Sequence, residues 1–143
     1  MDLLDVNVLV NAHRRDAPRH GEFVRFVQSL VDGDQPFAIP VVVFSGFLRV
    51  VTHPRIFNPP SKFGDALIFV EQLRLQAHCI PVVPGAAHWG IFVDICQKGA
   101  ARGSLVSDAY IAAMAVEMGA ELVTDDRGFG RWPGLRWRHP IDA

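Results

Sequence analysis

The sequence predicts an α/β fold, a three-layer α/β/α sandwich built on a mostly parallel sheet. Two observations carry that reading. Short apolar runs of strand length alternate along the chain with longer segments of helical periodicity, the pattern of a sheet covered on both faces. Acidic residues also follow apolar runs near both ends of the chain, and open α/β sheets collect ligands and catalytic groups at the carboxyl ends of their strands. With 143 residues, half of them hydrophobic, the chain can bury a real core, and one domain over residues 1–143 is expected.

The elements follow in order. Leu3 to Val6 reads as a short buried strand with Asp5 near its end, and Asn7 to Val10 as a turn or first helical turn. From Gly21, the apolar residues Phe23, Phe26, Val27 and Leu30 recur at helical spacing until Gly33 stops them. Phe37 to Ile39 is a candidate strand, and Pro40 suits the first turn of a buried helix over Val41 to Val51. Thr52-His53-Pro54 ends that helix. After the Asn58-Pro59-Pro60 loop, Ser61 is placed to cap a helix reaching Ala77, with Ala66, Phe69, Val70 and Leu73 on its inner face. Ile80 to Val83 contains Pro81, which favours an edge strand. Pro84 to Lys98 returns to helical periodicity, and a glycine-punctuated connection follows. Ser107 to Met118 is the clearest helix: Ser107 is its expected cap, Asp108 lies in its first turn, and Gly119 stops it. Glu121 to Thr124 is a strand running into Asp125 and Asp126, and Pro133-Gly134 turns the chain into a last strand over Leu135 to Trp137.

Composition excludes several classes. The N-terminus carries Asp2 and Asp5 where a secretory leader carries positive charge, and the most apolar stretch, Phe37 to Leu48, is too short for a bilayer span, so a soluble, cytoplasmic protein is expected. Cys79 and Cys96 lack metal-site spacing and are expected as reduced thiols. The net charge of −1 rules out a uniformly basic nucleic-acid binder. Arginines nevertheless cluster early (Arg14, Arg15, Arg19) and late (Arg127, Arg131, Arg136, Arg138), and such patches can hold phosphates. Neither a phosphate-cradling glycine loop nor a nucleophilic serine elbow is present, and the six histidines are scattered, with His53 in its Thr-His-Pro loop the most conspicuous.

What remains is acidic. Asp5, Asp108 and Asp126, far apart in sequence, can meet over one edge of a parallel sheet. Each alone has a commoner explanation, as a cap, a dipole partner or a turn residue. Together they would repel one another unless a hard cation such as Mg²⁺ or Mn²⁺ neutralised them, which points to metal-activated water attacking a phosphodiester. Thr124 and Ser107, each beside an acidic residue, could orient these carboxylates or simply cap their local turns.

In ordered set, the stretches Leu4 to Arg14, Phe47 to Phe57, Leu105 to Ala113 and Leu122 to Phe129, with the Pro133 to Trp137 tail, resemble the PIN-domain family, specifically VapC-type toxin ribonucleases of toxin–antitoxin pairs. The resemblance implies a PIN-like sandwich, a homodimer, dependence on Mg²⁺ or Mn²⁺, and endonucleolytic cleavage of structured RNA, often transfer RNA or a ribosomal RNA loop. It also implies a VapB-type antitoxin whose tail occupies the catalytic groove. Asp5, Asp108 and Asp126 match the family's acidic positions, and Arg14, Arg15, Arg127 and Arg131 become candidates for holding RNA.

The chain departs from the family pattern at two places. Gly46 stands where many PIN domains carry a glutamate, which favours one firmly held ion over two. Gly128 stands where a further aspartate is frequent, and Asp125 is the candidate to compensate as a metal ligand. Adjacent side chains on an extended segment point to opposite sides, so Asp126 is preferred over Asp125. A non-cutting module that grips RNA or antitoxin is the alternative reading. A phospho-accepting receiver domain ranks last, because it needs an early acidic pair and a lysine at a strand end, and only Lys62 and Lys98 are available.

Overall fold

The structure is a computed structural model, and it describes residues 1–142. Its five strands are β1 (Asp2–Leu4), β2 (Phe37–Pro40), β3 (Cys79–Val82), β4 (Glu121–Val123) and β5 (Trp137–Arg138). They pair parallel in the order β3-β2-β1-β4-β5. The helices are α1 (Val6–His13), α2 (His20–Asp32), α3 (Val41–Val51), α4 (Phe63–Arg74), α5 (His88–Lys98) and α6 (Ser104–Met118), with a 3₁₀ turn over Arg127–Arg131.

Strand order fixes the layers. From β1 to β2 to β3 the chain steps one way across the sheet, then jumps back past β1 to β4. Right-handed crossovers therefore place α1 to α4 on one face and α5 with α6 on the other. The packing agrees: α1 lies against α2 and α3, α3 against α4, and α5 against α6. Leu3, Leu4, Ile39, Leu122 and Val123 on the central strands are fully buried between these layers. Each such side chain contributes about 1.5–3 kcal/mol by leaving water. Helix α6 buries Ala109, Ala112, Ala113 and Ala115 completely, small side chains that let it pack close to its neighbours.

The elements expected from sequence are all present, with shifted boundaries. The first strand ends at Leu4, so Asp5 and Val6 lie outside it, and Asn7 to Val10 is more than a turn: a full helix begins at Val6, because the Asp5 side chain caps it at once. Pro40 is the last residue of β2 and precedes α3 instead of lying in its first turn. Ser61 does not cap α4, whose N-cap is Lys62 without a side-chain bond; the Ser61 hydroxyl is engaged by His13 and Arg14 instead. The segment from Pro84 becomes helical only at His88, after Glu117 accepts the Gly85 and Ala87 amides. Helix α6 starts at Ser104 rather than Ser107, behind Gly103, which moves Asp108 to the fifth helical residue. First-turn dipole compensation, the bland reading of Asp108, therefore does not apply, since that effect fades beyond the first turn. Gly119 ends α6 in the left-handed conformation (φ 65°) that its sequence position predicted. The final strand is Trp137–Arg138, starting two residues later and ending one residue later than expected. β3 is an edge strand, as Pro81 implied.

Candidate active site

Asp5 leaves the end of β1 and the Asp125-Asp126 pair follows β4. These strands are neighbours, and the Asp5 amide donates to the Val123 carbonyl at 3.0 Å. From β1 the chain departs towards β2 on one side, while β4 lies on the other, so this is the topological switch point where open α/β sheets place their ligands. The sheet thus builds the site from residues more than a hundred positions apart.

The Asp5 carboxylate is buried and tightly held. Its Oδ1 accepts the Val6 amide at 2.7 Å, and its Oδ2 accepts the Thr124 hydroxyl at 2.8 Å and Asn7 Nδ2 at 3.3 Å. Thr124, wholly buried, also accepts from Asn7 Nδ2 (3.1 Å) and from the Asp126 amide (3.0 Å). It therefore performs both roles considered for it: it orients Asp5 and it closes the turn that carries Asp126. Asp126 in turn accepts the Gly128 amide on Oδ1 at 2.8 Å and caps the 3₁₀ turn, leaving Oδ2 without a hydrogen bond among the described residues. Gly128 has a steric reason here: a Cβ at that position would stand 2.9 Å from Asp126 Oδ1.

Asp108 reaches the same place from α6. It is half-buried and, among the described residues, accepts no hydrogen bond and makes no ion pair. Burial, followed by the Asp5 and Asp126 charges, pushes its carboxyl up to about 6, against the favourable pull of Arg131. The Asp5 carboxyl is also raised, chiefly by burial and further by Asp126, despite the lowering effect of its bonds to Thr124 and Val6. The three expected carboxylates are thus brought within electrostatic reach of one another. Hard oxygen donors that repel each other fit Mg²⁺ or Mn²⁺, and the free oxygens on Asp108 and Asp126 are available to it. As placed, no three His, Cys, Asp or Glu side chains among the described residues close into a metal cage. The arrangement suits a cation that keeps most of its own water.

Asp125 is used differently. Its Oδ1 is 2.7 Å from His139 Nε2, its Oδ2 accepts from Asn11 Nδ2 at 3.1 Å, and its amide donates to Asn7 Oδ1 at 2.9 Å. Each of its carboxylate oxygens thus has a side-chain partner of its own. Asn7, Asn11 and His139 were not singled out from sequence. Asn7 and Asn11 sit in the motif after Asp5, four residues apart on one face of α1. His139 carried no signal of its own, because its partner lies fourteen residues upstream. His53, the conspicuous histidine, accepts the Arg55 amide within its own loop.

The candidate RNA-holding arginines divide. Arg14 is committed: it pairs with Asp16 (2.7 Å), stacks over Phe57 and bonds Ser61. Arg127 pairs with Asp142 at 2.9 Å. Arg15 and Arg131 are exposed, and only Arg131 influences Asp108. A groove of about 420 Å³ is lined in part by Val6 and Ser107, the chain neighbours of Asp5 and Asp108, and by Gly46, Arg49, Phe92 and Tyr110. Ser107 is exposed along it and caps nothing. A Cβ at Gly46 would meet the Val6 side chain at 3.0 Å, so any side chain there would have to push Val6 aside. No helix is long and apolar enough to cross a membrane among the described residues.

Residues 3–135 match the family model described as the PIN domain. The chain is 40% identical over 140 residues to Ribonuclease VapC43 of Mycobacterium tuberculosis, covering 98% of this chain and 95% of that protein. Ribonuclease VapC25 of the same organism is also 40% identical over 140 residues, covering 98% and 99%. Among solved structures, VapBC2 from Rickettsia felis bound to a promoter DNA fragment aligns with a TM-score of 0.71 at 20% identity, covering 96% and 97%. The sarcin-ricin loop cleaving toxin VapC20 of Mycobacterium tuberculosis aligns with a TM-score of 0.64 at 13% identity, covering 95% and 99%. The two structural likenesses speak for the fold, and the full-length sequence identities for the lineage: the chain belongs to the PIN-domain family, within its VapC group.

Proposed function

We propose that this chain is a metal-dependent endoribonuclease and the toxin member of a toxin–antitoxin pair, acting on structured RNA. The observation that carries the reading is the convergence of Asp5, Asp108 and Asp126 at the switch point, mutually repelling, with free oxygens on Asp108 and Asp126. The relatives' names as VapC ribonucleases support it. Asp5, Asp108 and Asp126 would hold Mg²⁺ or Mn²⁺, which when bound supplies charge to neutralise the carboxylates and to polarise a phosphodiester.

The chain's own residues do the rest. Thr124 and Asn7 fix the Asp5 oxygens, so that carboxylate needs no reorganisation on loading. Arg131, whose charge reaches Asp108, would meet the RNA backbone, and the exposed Arg15 would extend the cationic surface. Specificity then comes from RNA shape and loop contacts. The groove past Gly46 and Arg49 is the place for the tail of a VapB-type antitoxin, which would block access to the carboxylates. The solved VapBC complexes share this fold, which supports an antitoxin partner. A homodimer is part of the same reading.

Gly46 favours a second reading, a PIN fold that grips RNA or antitoxin without cutting, since a family carboxylate is missing from the groove. A gel of labelled structured RNA with the protein and Mg²⁺ separates the two: shortened product supports the nuclease, and retarded but intact RNA supports the binding module.

A further inference from the structure

The C-terminal tail ends in a side-chain network that the three-carboxylate site does not by itself require. His139 is buried, with its ring edge-on to Phe23. Its Nδ1 accepts two backbone amides, Ile141 at 3.2 Å and Asp142 at 3.1 Å. A nitrogen that accepts two N–H groups must present its lone pair, so the ring proton sits on Nε2 and is donated to Asp125 Oδ1 at 2.7 Å. The tail beyond the ring is pinned as well: Asp142 pairs with Arg19 from the start of α2 and with Arg127 from the 3₁₀ turn, each at 2.9 Å. Asp125 is thereby held from three directions, by His139, by Asn11 and by Asn7. It is the residue immediately before Asp126.

We infer that His139 and Asp125 are positioning residues: the tail clasps Asp125 from behind and so fixes the aim of the adjacent Asp126 carboxylate into the site. Without the clasp, Asp126 rests on its short local bonds, its amide to Thr124 and its Oδ1 to Gly128. A loop held only by such contacts samples open conformations readily. On this account, Asp125 is an anchor and not a fourth ligand, its carboxylate being held between His139 of the tail and Asn11 of α1. Groups that orient a metal-binding carboxylate from behind are commonly worth 10- to 100-fold in metal affinity or activity, an order-of-magnitude expectation of about 10-fold here. This inference rests on the proposed cation site, and its test therefore includes a metal-free measurement.

The experiment compares wild type with Asp125→Ala, Asp125→Asn, His139→Ala, His139→Gln and the double alanine variant. Two quantities are read: amide hydrogen exchange at Asp126 and Gly128 in metal-free protein, and Mn²⁺ affinity from the electron paramagnetic resonance signal of free Mn²⁺. Glutamine at 139 can still donate to Asp125, and asparagine at 125 can still accept from His139, so these variants should retain most of the function. The alanine variants should exchange these two amides faster and bind Mn²⁺ about 10-fold more weakly. The double variant should lose no more than either single one. Unchanged exchange and affinity in folded His139→Ala would overturn the inference. Loss of Mn²⁺ affinity in Asp125→Ala but not in His139→Ala would overturn it too, by making Asp125 a ligand. If wild type binds no Mn²⁺ while exchange still rises in both alanine variants, the cation reading fails and the clasp stands.

Discussion

Replacing Asp108 with asparagine should make the metal-free protein more stable at neutral pH. Asp108 sits half-buried beside two other carboxylates, and its carboxyl titrates at about 6 instead of the ordinary 3.8. The folded state therefore holds a proton there between about pH 4 and pH 6 that the unfolded chain has released. Stability falls as pH rises through that window and stays lowered above it. At roughly 1.4 kcal/mol per tenfold change, the full displacement corresponds to ~3 kcal/mol. Because the side chain is half exposed, solvent screening reduces the expected penalty to about 1 kcal/mol. Asparagine carries no charge, so Asp108→Asn recovers that energy at pH 7.5, a rise in melting temperature of about 3 °C for a chain of this size. Near pH 4 the gain should vanish. Thermal melts in EDTA at both pH values measure it directly, and adding Mn²⁺ should stabilise wild type more than the variant. A variant that melts at or below wild type at pH 7.5, or that gains equally at pH 4, would refute the claim that the acidic trio stores repulsion.

Thr124→Val should destabilise the fold by about 2 kcal/mol, since it strips the Asp126 amide and Asn7 of their acceptor and Asp5 of its donor; Thr124→Ser should stay near wild type in denaturant melts. Arg131→Ala should weaken RNA binding and flatten its salt dependence by about one unit of logarithmic slope, as one lost phosphate contact would, in titrations across several salt concentrations. The protein should elute as a dimer on gel filtration, because Val41 and Val42 on α3 and Phe63, Leu67 and Ile68 on α4 are exposed apolar side chains. A monomer at micromolar concentration would contradict that.

Much of this was legible in the sequence because it depended on local patterning. The alternation of apolar runs with helical periodicity carried the layers, and the three aspartates were visible because each follows or enters a regular element. The errors lie where a distant partner decides. Ser61 was an attractive cap by its local chemistry, yet His13 and Arg14, nearly fifty residues earlier, take its hydroxyl. The start of α6 was misplaced because Gly103, with a φ of 59°, lets the helix begin before the serine that looked like its cap. The role of Asp125 was hidden for the same reason: its carboxylate is defined by His139 and Asn11, which a linear reading cannot bring beside it. Gly128 looked like a lost ligand from sequence, and in the structure it is the space the Asp126 carboxylate occupies.

The central claim is that Asp5, Asp108 and Asp126 together cut RNA with a divalent cation. The most direct test incubates purified, antitoxin-free protein with total RNA in Mg²⁺, Mn²⁺ or EDTA and maps every new 5′ end, with Asp5→Asn in parallel. Discrete cuts in either metal that vanish in EDTA and in folded Asp5→Asn are the result this account predicts. Cuts that persist in Asp5→Asn at the wild-type rate, or well-folded wild type that leaves all RNA intact in both metals, would contradict it.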